Sequence, residues 1–199
     1  MAQYKMIAIC GEAGSGKDSL AKALVEQLND EGIAARAVVS YTTRPKRDYE
    51  IDGVDYHFVE NPVDLVSLIL EHRILEATIF NDWVYATGID DLEEDKINVA
   101  VLNPEGVSYL SSDERIDLCI IRCLCEEKIR IIRQLNREFD PDIDEIFRRL
   151  KADREDFSDF KPADHTKWVN VIHTDGHISI SEEAEQCVSY IQRWMKKDN

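Results

Sequence analysis

The sequence predicts an α/β fold: a parallel sheet flanked by helices, with a small mixed lobe set into it and a helical lid near its end. Three observations predict this. Four short runs, residues 6–10, 97–102, 116–122 and 168–172, are mostly apolar, as strands buried on both faces require. Segments with helical spacing fall between them, the pattern of a parallel sheet covered on both sides. Residues 41–88 break the alternation with irregular, largely polar sequence.

Taken in order, residues 6–10 (MIAIC) form the first strand and a glycine-rich turn follows. Residues 19–29 carry Leu20, Ala23, Leu24 and Leu28 at helical spacing, and Gly32 is placed to end that helix. Residues 34–40 read as the second strand. Residues 41–59 are rich in Arg, Asp and Tyr and read as a loop running into a small sheet. Residues 62–70 read as a helix. Residues 74–80 and 83–85 read as two strands joined by the turn-prone pair Asn81-Asp82. Strand 97–102, helix 104–110, strand 116–122, helices 126–139 and 143–157, strand 168–172 and helix 181–195 complete the chain.

The 199 residues fit one domain. Its core is expected at 1–40, 97–125 and 160–199, the inserted lobe at 41–88 and the lid at about 126–158. Acidic residues outnumber basic ones by 40 to 24, a formal net charge of −16. Such a surface repels a phosphodiester backbone, so a nucleic-acid polymer is not an expected partner. On this background a local cluster of Arg points to a particular anion. Cys10, Cys119, Cys123, Cys125 and Cys187 include no CxxC pair and read as reduced thiols in a cytoplasmic protein. Residues 1–10 are too short an apolar stretch for a signal sequence or a membrane span, so no membrane partner is expected.

Residues 11–17 (GEAGSGK) match G-x-x-x-x-G-K between a buried strand and a helix, the setting of a P-loop NTPase-like core. Glycines let successive N–H groups turn inward toward phosphate oxygens, and the helix adds its positive end. Gly11, Gly14, Ser15, Gly16, Lys17, Asp18 and Ser19 are therefore candidates to bind a nucleoside triphosphate, with Lys17 reaching the β- and γ-phosphates. The usual Ser/Thr after the lysine is replaced by Asp18. Asp18 is a hard oxygen donor able to hold Mg²⁺ directly or through water, or simply an acid favoured at a helix start.

Arg44 and Arg47 stand three apart with Lys46 between them and tyrosines nearby. Two guanidinium forks suit a phosphate monoester dianion; the other reading is a solvated basic loop. The spelling goes further. Ser40, Thr42, Thr43, Arg44, Arg47, Glu50, Gly53, Tyr56, Phe58 and Val59 reproduce the pattern S-x-T-T-R-x-x-R-x-x-E-x-x-G-x-x-Y-x-F-V, and Glu76, Tyr85 and Thr87 follow at matching spacing. The chain thus resembles the guanylate kinase family along nearly its whole length. The resemblance implies a nucleoside monophosphate kinase using ATP and Mg²⁺. Arg44, Arg47, Tyr56 and Tyr85 would hold the acceptor phosphate. Glu76 would accept from guanine N1–H and the 2-amino group, while Ser40 and Thr87 would donate to O6. A single carboxylate can take guanine's two adjacent donors together, which adenine does not offer.

The chain departs from the family after the middle strand. Val101, Asn103 and Glu105 stand where the family has Asp, Asp and Gln. Val101 cannot assist a metal, so Asp18 would compensate. Asn103 can still bond the base or an arginine. In the lid, the resemblance places Arg137 and Arg149 over the ATP phosphates, as catalytic groups beside Lys17, with Arg148 and Arg133 as substitutes and residues 139–142 as the hinge. His165 and His173 read as loop residues. The expected activity is phosphorylation of GMP or dGMP by a monomer or homodimer. Its alternatives are a kinase for another or modified deoxynucleotide, as the Lys-Asp spelling resembles some phage enzymes, and a non-catalytic guanylate-kinase-like binding module. Retention of Lys17 weighs against the module.

Overall fold

The computed structural model describes residues 3–47, 50–80, 82–137 and 140–197. Its main sheet has five parallel strands in the order β2-β7-β1-β8-β9. These are β1 Tyr4–Cys10, β2 Ala35–Ala37, β7 Ile97–Val101, β8 Ile116–Leu124 and β9 Val169–His173. A second, mixed sheet of four strands, β4-β3-β6-β5, is built from residues of the inserted segment. Its strands are β3 Tyr41–Thr42, β4 His57–Phe58, β5 Ile74–Phe80 and β6 Trp83–Gly88.

The pleat of β1 splits the core into two layers. Ile7 and Ile9 point to one face, where α1 (Lys17–Asp30) and α6 (Ile180–Met195) cover them with Leu20, Leu24, Leu28, Val188, Ile191 and Trp194. Met6, Ala8 and Cys10 point to the other, where α3 (Pro104–Ser111) supplies Val107 and Leu110. Each fully buried Leu or Ile of these layers is worth about 1.5–3 kcal/mol. Burial on both sides is why the strands lack an alternating pattern.

Several expected boundaries shift for local reasons. The second strand was expected over 34–40 but ends at Ala37. The Asp91 carboxylate takes the Val39 N–H at 2.6 Å and pairs with Arg36 at 3.1 Å, drawing the chain off the sheet. Ser40 then stands at the crossing to the second sheet, its carbonyl accepting from His57 N–H at 2.9 Å. β6 runs past Tyr85 to Gly88, because its antiparallel register with β5 continues through Glu76–Thr87. The first helix begins at Lys17, and Gly32 follows it at φ 77°. The helix expected over 126–139 is α4, Glu127–Leu135, capped at Asn136. Phe139 of the expected hinge and Asn81 of the expected turn lie outside the described residues.

The charged segment forms α4 and α5 (Ile143–Ser158), which touch each other; α5 also reaches α3. α2 (Pro62–Leu70) is capped by Asn61, which accepts from Val63 N–H at 3.1 Å. Among the described residues no helix is long and apolar enough to cross a membrane.

Candidate active site

The glycine-rich turn lies at the carboxyl end of β1, the central strand, whose crossover through α1 runs to β2 on one face while that of its neighbour β7 runs through α3 to β8 on the other. Open α/β sheets bind their ligands at such a point. Gly14 and Gly16 take φ of 78° and 90°, backbone that a side chain disfavours. Gly14 has a second reason to be glycine: a Cβ there would lie 2.6 Å from the carbonyl oxygen of Arg130. Gly16 caps α1 without any side-chain hydrogen bond, so the first N–H groups of that helix stay open to an anion.

The loop is held from behind. Arg133 donates to the carbonyls of Gly14 and Ser15, both at 3.3 Å, and to that of Thr174 at 2.7 Å. Thr174 Oγ1 donates to Ser15 O at 2.5 Å, and Gln134 to Ala13 O at 3.5 Å. These bonds hold the Ala13, Gly14 and Ser15 carbonyls, while the Ser15 N–H turns back to the Glu12 carbonyl at 3.1 Å. Arg133 was expected as a substitute lid arginine above the phosphates; it sits behind the loop instead.

Lys17 Nζ lies 3.6 Å from Asp18 Oδ2. The Lys17 ammonium, opposed by desolvation and helped by Arg137, holds the Asp18 carboxyl below its ordinary range. The Asp18 side chain is nonetheless 69% exposed, so it stands in a walled cleft that solvent enters. Ser19 is exposed beside it and lines a cavity of about 320 Å³ with Gly16, Arg133, Thr174 and Glu183. Glu183 is buried, and among the described residues its Oε2 has no hydrogen-bond partner.

The second sheet brings together most of the remaining expected residues. Arg44 is buried and forms a two-pronged pair with Glu50, at 2.7 and 3.0 Å. The Arg47 backbone N–H reaches the same carboxylate at 2.8 Å and its guanidinium at 3.6 Å. The Arg44 guanidinium lies 5.5 Å from the Tyr56 ring and 5.6 Å from that of Phe58. Tyr56 meets Tyr85 edge-on, with centroids 5.9 Å apart. Burial pushes the Tyr56 hydroxyl up to about 12, and the Asp18 carboxylate pushes the same way. The Asp18 carboxylate at the end of the glycine-rich turn is thus near enough to the Arg44–Tyr56–Tyr85 cluster for its charge to act on the Tyr56 hydroxyl.

Glu76 and Thr87 face each other across β5 and β6, with Thr87 Oγ1 donating to Glu76 at 2.6 Å. Burial raises the Glu76 carboxyl, the Thr87 donors oppose that, and Glu105 adds to the rise. Asn103 caps α3, its Oδ1 accepting from Gly106 N–H at 2.8 Å. A Cβ on Gly106 would sit 3.1 Å from both Asn103 Oδ1 and Glu76 Oε2, so glycine here lets the carboxylate approach the α3 N-terminus. Next to them a pocket of about 140 Å³ is lined by Ile79, Asn103, Pro104, Glu105 and Asp156.

The arginines of α4 and α5 divide. Arg137, exposed beyond α4, acts on Asp18. Arg148 and Arg149 both bond Glu145 on their own helix, at 2.6 and 2.7 Å, and hold its carboxyl at about 2. Arg130 is 5% exposed and bonds Asp153 at 3.4 Å. Asp153, Gln134, Arg122 and Glu183 carried no sequence signal; each became visible only by contact with the loop or its cavity. The cysteines are free, four of them buried, and burial pushes Cys10 up to about 12. His165 follows a short 3₁₀ turn, and His173 ends β9. Among the described residues no group of three or more His, Cys, Asp or Glu could hold a metal ion.

Disks large homolog 1 of Danio rerio is 37% identical over 81 residues, which are 41% of this chain and 9% of that protein. Disks large homolog 2 of Rattus norvegicus is 39% identical over 79 residues, 40% of this chain and 9% of that protein. The matched part thus spans about a tenth of the length of these curated relatives. The crystal structure of guanylate kinase from Anaplasma phagocytophilum superimposes with a TM-score of 0.63, covering 99% of this chain and 89% of its own at 17% identity, a likeness of fold. The sequence profile described as Guanylate kinase covers residues 3–106, just over half of the sequence. This chain belongs to the guanylate kinase family.

Proposed function

We propose that the protein transfers the terminal phosphoryl group of ATP to a nucleoside monophosphate, GMP or dGMP, giving ADP and the diphosphate. The observation that carries this reading is the pairing of two sites in one chain: a glycine-rich turn with an open helix N-terminus at Gly16, and a cluster of Arg44, Tyr56 and Tyr85 suited to a phosphate monoester. A donor site facing an acceptor site is the arrangement that direct transfer needs.

In this reading the N–H groups of Gly14 and Gly16 and the first turn of α1 cradle the donor phosphates, beginning at Gly11, and the Ser15 N–H joins them on release from the Glu12 carbonyl. Ser19 and the larger cavity take the donor's nucleoside side. Lys17 reaches the β- and γ-phosphates and neutralises the charge that gathers on the leaving β-phosphate as the bond breaks, and Arg137 closes over them with Arg149. Arg149 must leave Glu145 to do so. The acceptor phosphate docks on Arg44, Arg47, Tyr56 and Tyr85. Glu50 fixes the Arg44 fork in advance, so little side-chain entropy is lost on binding. Glu76 takes guanine's N1–H and 2-amino group, Ser40 and Thr87 serve O6, and Asn103 flanks the base.

Magnesium fits the donors present. Asp18 is an ionised, accessible carboxylate, and Mg²⁺ is commonly held by one or two carboxylates with substrate phosphates and waters. When bound it would neutralise charge between the β- and γ-phosphates.

A coupled assay of ADP release, run with Mg²⁺ across the common ribo- and deoxynucleoside monophosphates, tests the proposal. Turnover is expected with GMP or dGMP. Turnover confined to another base would transfer the activity to that nucleotide. ATP binding without turnover on any of them would leave a nucleotide-binding module and refute the kinase.

A further inference from the structure

Helix α5 is attached to the glycine-rich turn at two points one helical turn apart. At the first, Asp153 Oδ2 accepts from the Ala13 N–H at 2.8 Å, and Arg130 of α4 donates to the same oxygen at 3.4 Å. Asp153 is only 8% exposed, so this contact is made away from solvent. At the second, the Phe157 ring lies 4.1 Å from the Arg122 guanidinium, and Arg122 in turn lies 3.0 Å from Glu12. Residues i and i+4 share a helix face, so one face of α5 grips Glu12 and Ala13 together. The Ala13 carbonyl is meanwhile taken by Gln134 of α4. Both polar groups of the Ala13 peptide are thus held by side chains from the lid segment.

We infer that Asp153 is a positioning residue of the donor site, fixing the Ala13 peptide so that the turn's remaining N–H groups converge on phosphate. The inference rests on the donor-site reading above. A free glycine-rich turn samples many backbone states and must be ordered when an anion binds. Asp153 orders it beforehand, with a charge that Arg130 balances within the protein.

The test compares Asp153→Ala, Asp153→Asn and the exposed control Lys151→Ala. ATP dissociation is measured by calorimetry, KM is measured for both substrates, and the Ala13 amide is followed by NMR hydrogen exchange in the nucleotide-free protein. Asp153→Ala should weaken ATP binding roughly tenfold or more, the loss expected for a hydrogen bond to a charged group. Its KM for the acceptor should stay unchanged and Ala13 should lose protection. Asp153→Asn keeps an acceptor oxygen and should recover most of the affinity and protection. Unchanged or tighter ATP binding in a folded Asp153→Ala would overturn the inference; tighter binding would mean that the carboxylate competes with phosphate. Unchanged Ala13 exchange would overturn it even in an active kinase. Ala13 exchange that follows Asp153 in a protein that binds no ATP would keep the anchor and refute the donor reading.

Discussion

Glu50 offers a prediction whose size follows from the structure. Its carboxylate accepts three hydrogen bonds, two from the Arg44 guanidinium at 2.7 and 3.0 Å and one from the Arg47 N–H at 2.8 Å. Both side chains of the pair are about 7% exposed. Glu50→Ala leaves the Arg44 charge buried and unpaired, which commonly costs about 3–5 kcal/mol. Only a thin layer of lobe residues shields the pair, so the lower end, about 3 kcal/mol, applies. For a chain of this length that is a fall in Tm of about 6–12 °C. Burial alone would raise the Glu50 carboxyl, but the Arg44 and Arg47 donors outweigh it and hold it below its ordinary range. A depressed carboxyl stabilises the fold above its unfolded value of about 4.3 and loses that contribution as pH falls through the folded value. The gap in Tm between the wild type and Glu50→Gln should therefore close as pH drops below about 4. The assay is thermal unfolding followed by circular dichroism from pH 3 to 8. A Glu50→Ala change under about 1 kcal/mol, or a gap that stays constant to pH 3, would refute the reasoning.

Glu76→Gln should raise KM for the guanine nucleotide on the order of 10–100-fold, by pairing an amide donor against guanine's donors, and should leave nucleotides without those donors unaffected. Because burial raises the Glu76 carboxyl, guanine affinity should be intact at neutral pH and decline with acid earlier than an ordinary carboxylate would; a flat KM profile between pH 5 and 8 together with a silent Glu76→Gln would exclude the base contact. Arg149→Ala should lower kcat on the order of 10²-fold with Tm unchanged, whereas Glu145→Ala should shift stability by no more than about 1 kcal/mol, its arginine pairs being partly exposed. Equal effects of the two variants on kcat would count against a role for Arg149 in transfer.

The elements legible in the sequence were those whose signal is local. Residues 6–10 are apolar without interruption, and 116–122 broken only by Asp117 and Arg122, because both faces of β1 and β8 are covered. Residues 11–17 state their own conformation through Gly14 and Gly16, which alone tolerate φ near 80–90° without strain. The second strand ended early because Asp91, distant in sequence, takes the Val39 N–H. Likewise the run of charge over residues 126–154 gave no means of separating Arg130, which is buried against Asp153, from Arg154, which pairs with Glu127 in solvent. Helical charge patterning shows which residues share a face; what that face meets depends on packing.

The sequence by itself determined the α/β class, the glycine-rich turn with Lys17 and Asp18, and the family's long signature from Ser40 to Val59, since each depends on residue type and short spacing. Tertiary structure decided which of these groups meet. It set Tyr56 beside Arg44 and within the field of Asp18, placed Glu76 under the α3 N-terminus at Gly106, and turned Arg133 behind the loop. It also brought Asp153 across 140 residues to the Ala13 N–H. Hydrogen bonds between such distant groups depend on where two helices are packed against one sheet, and no local periodicity encodes that.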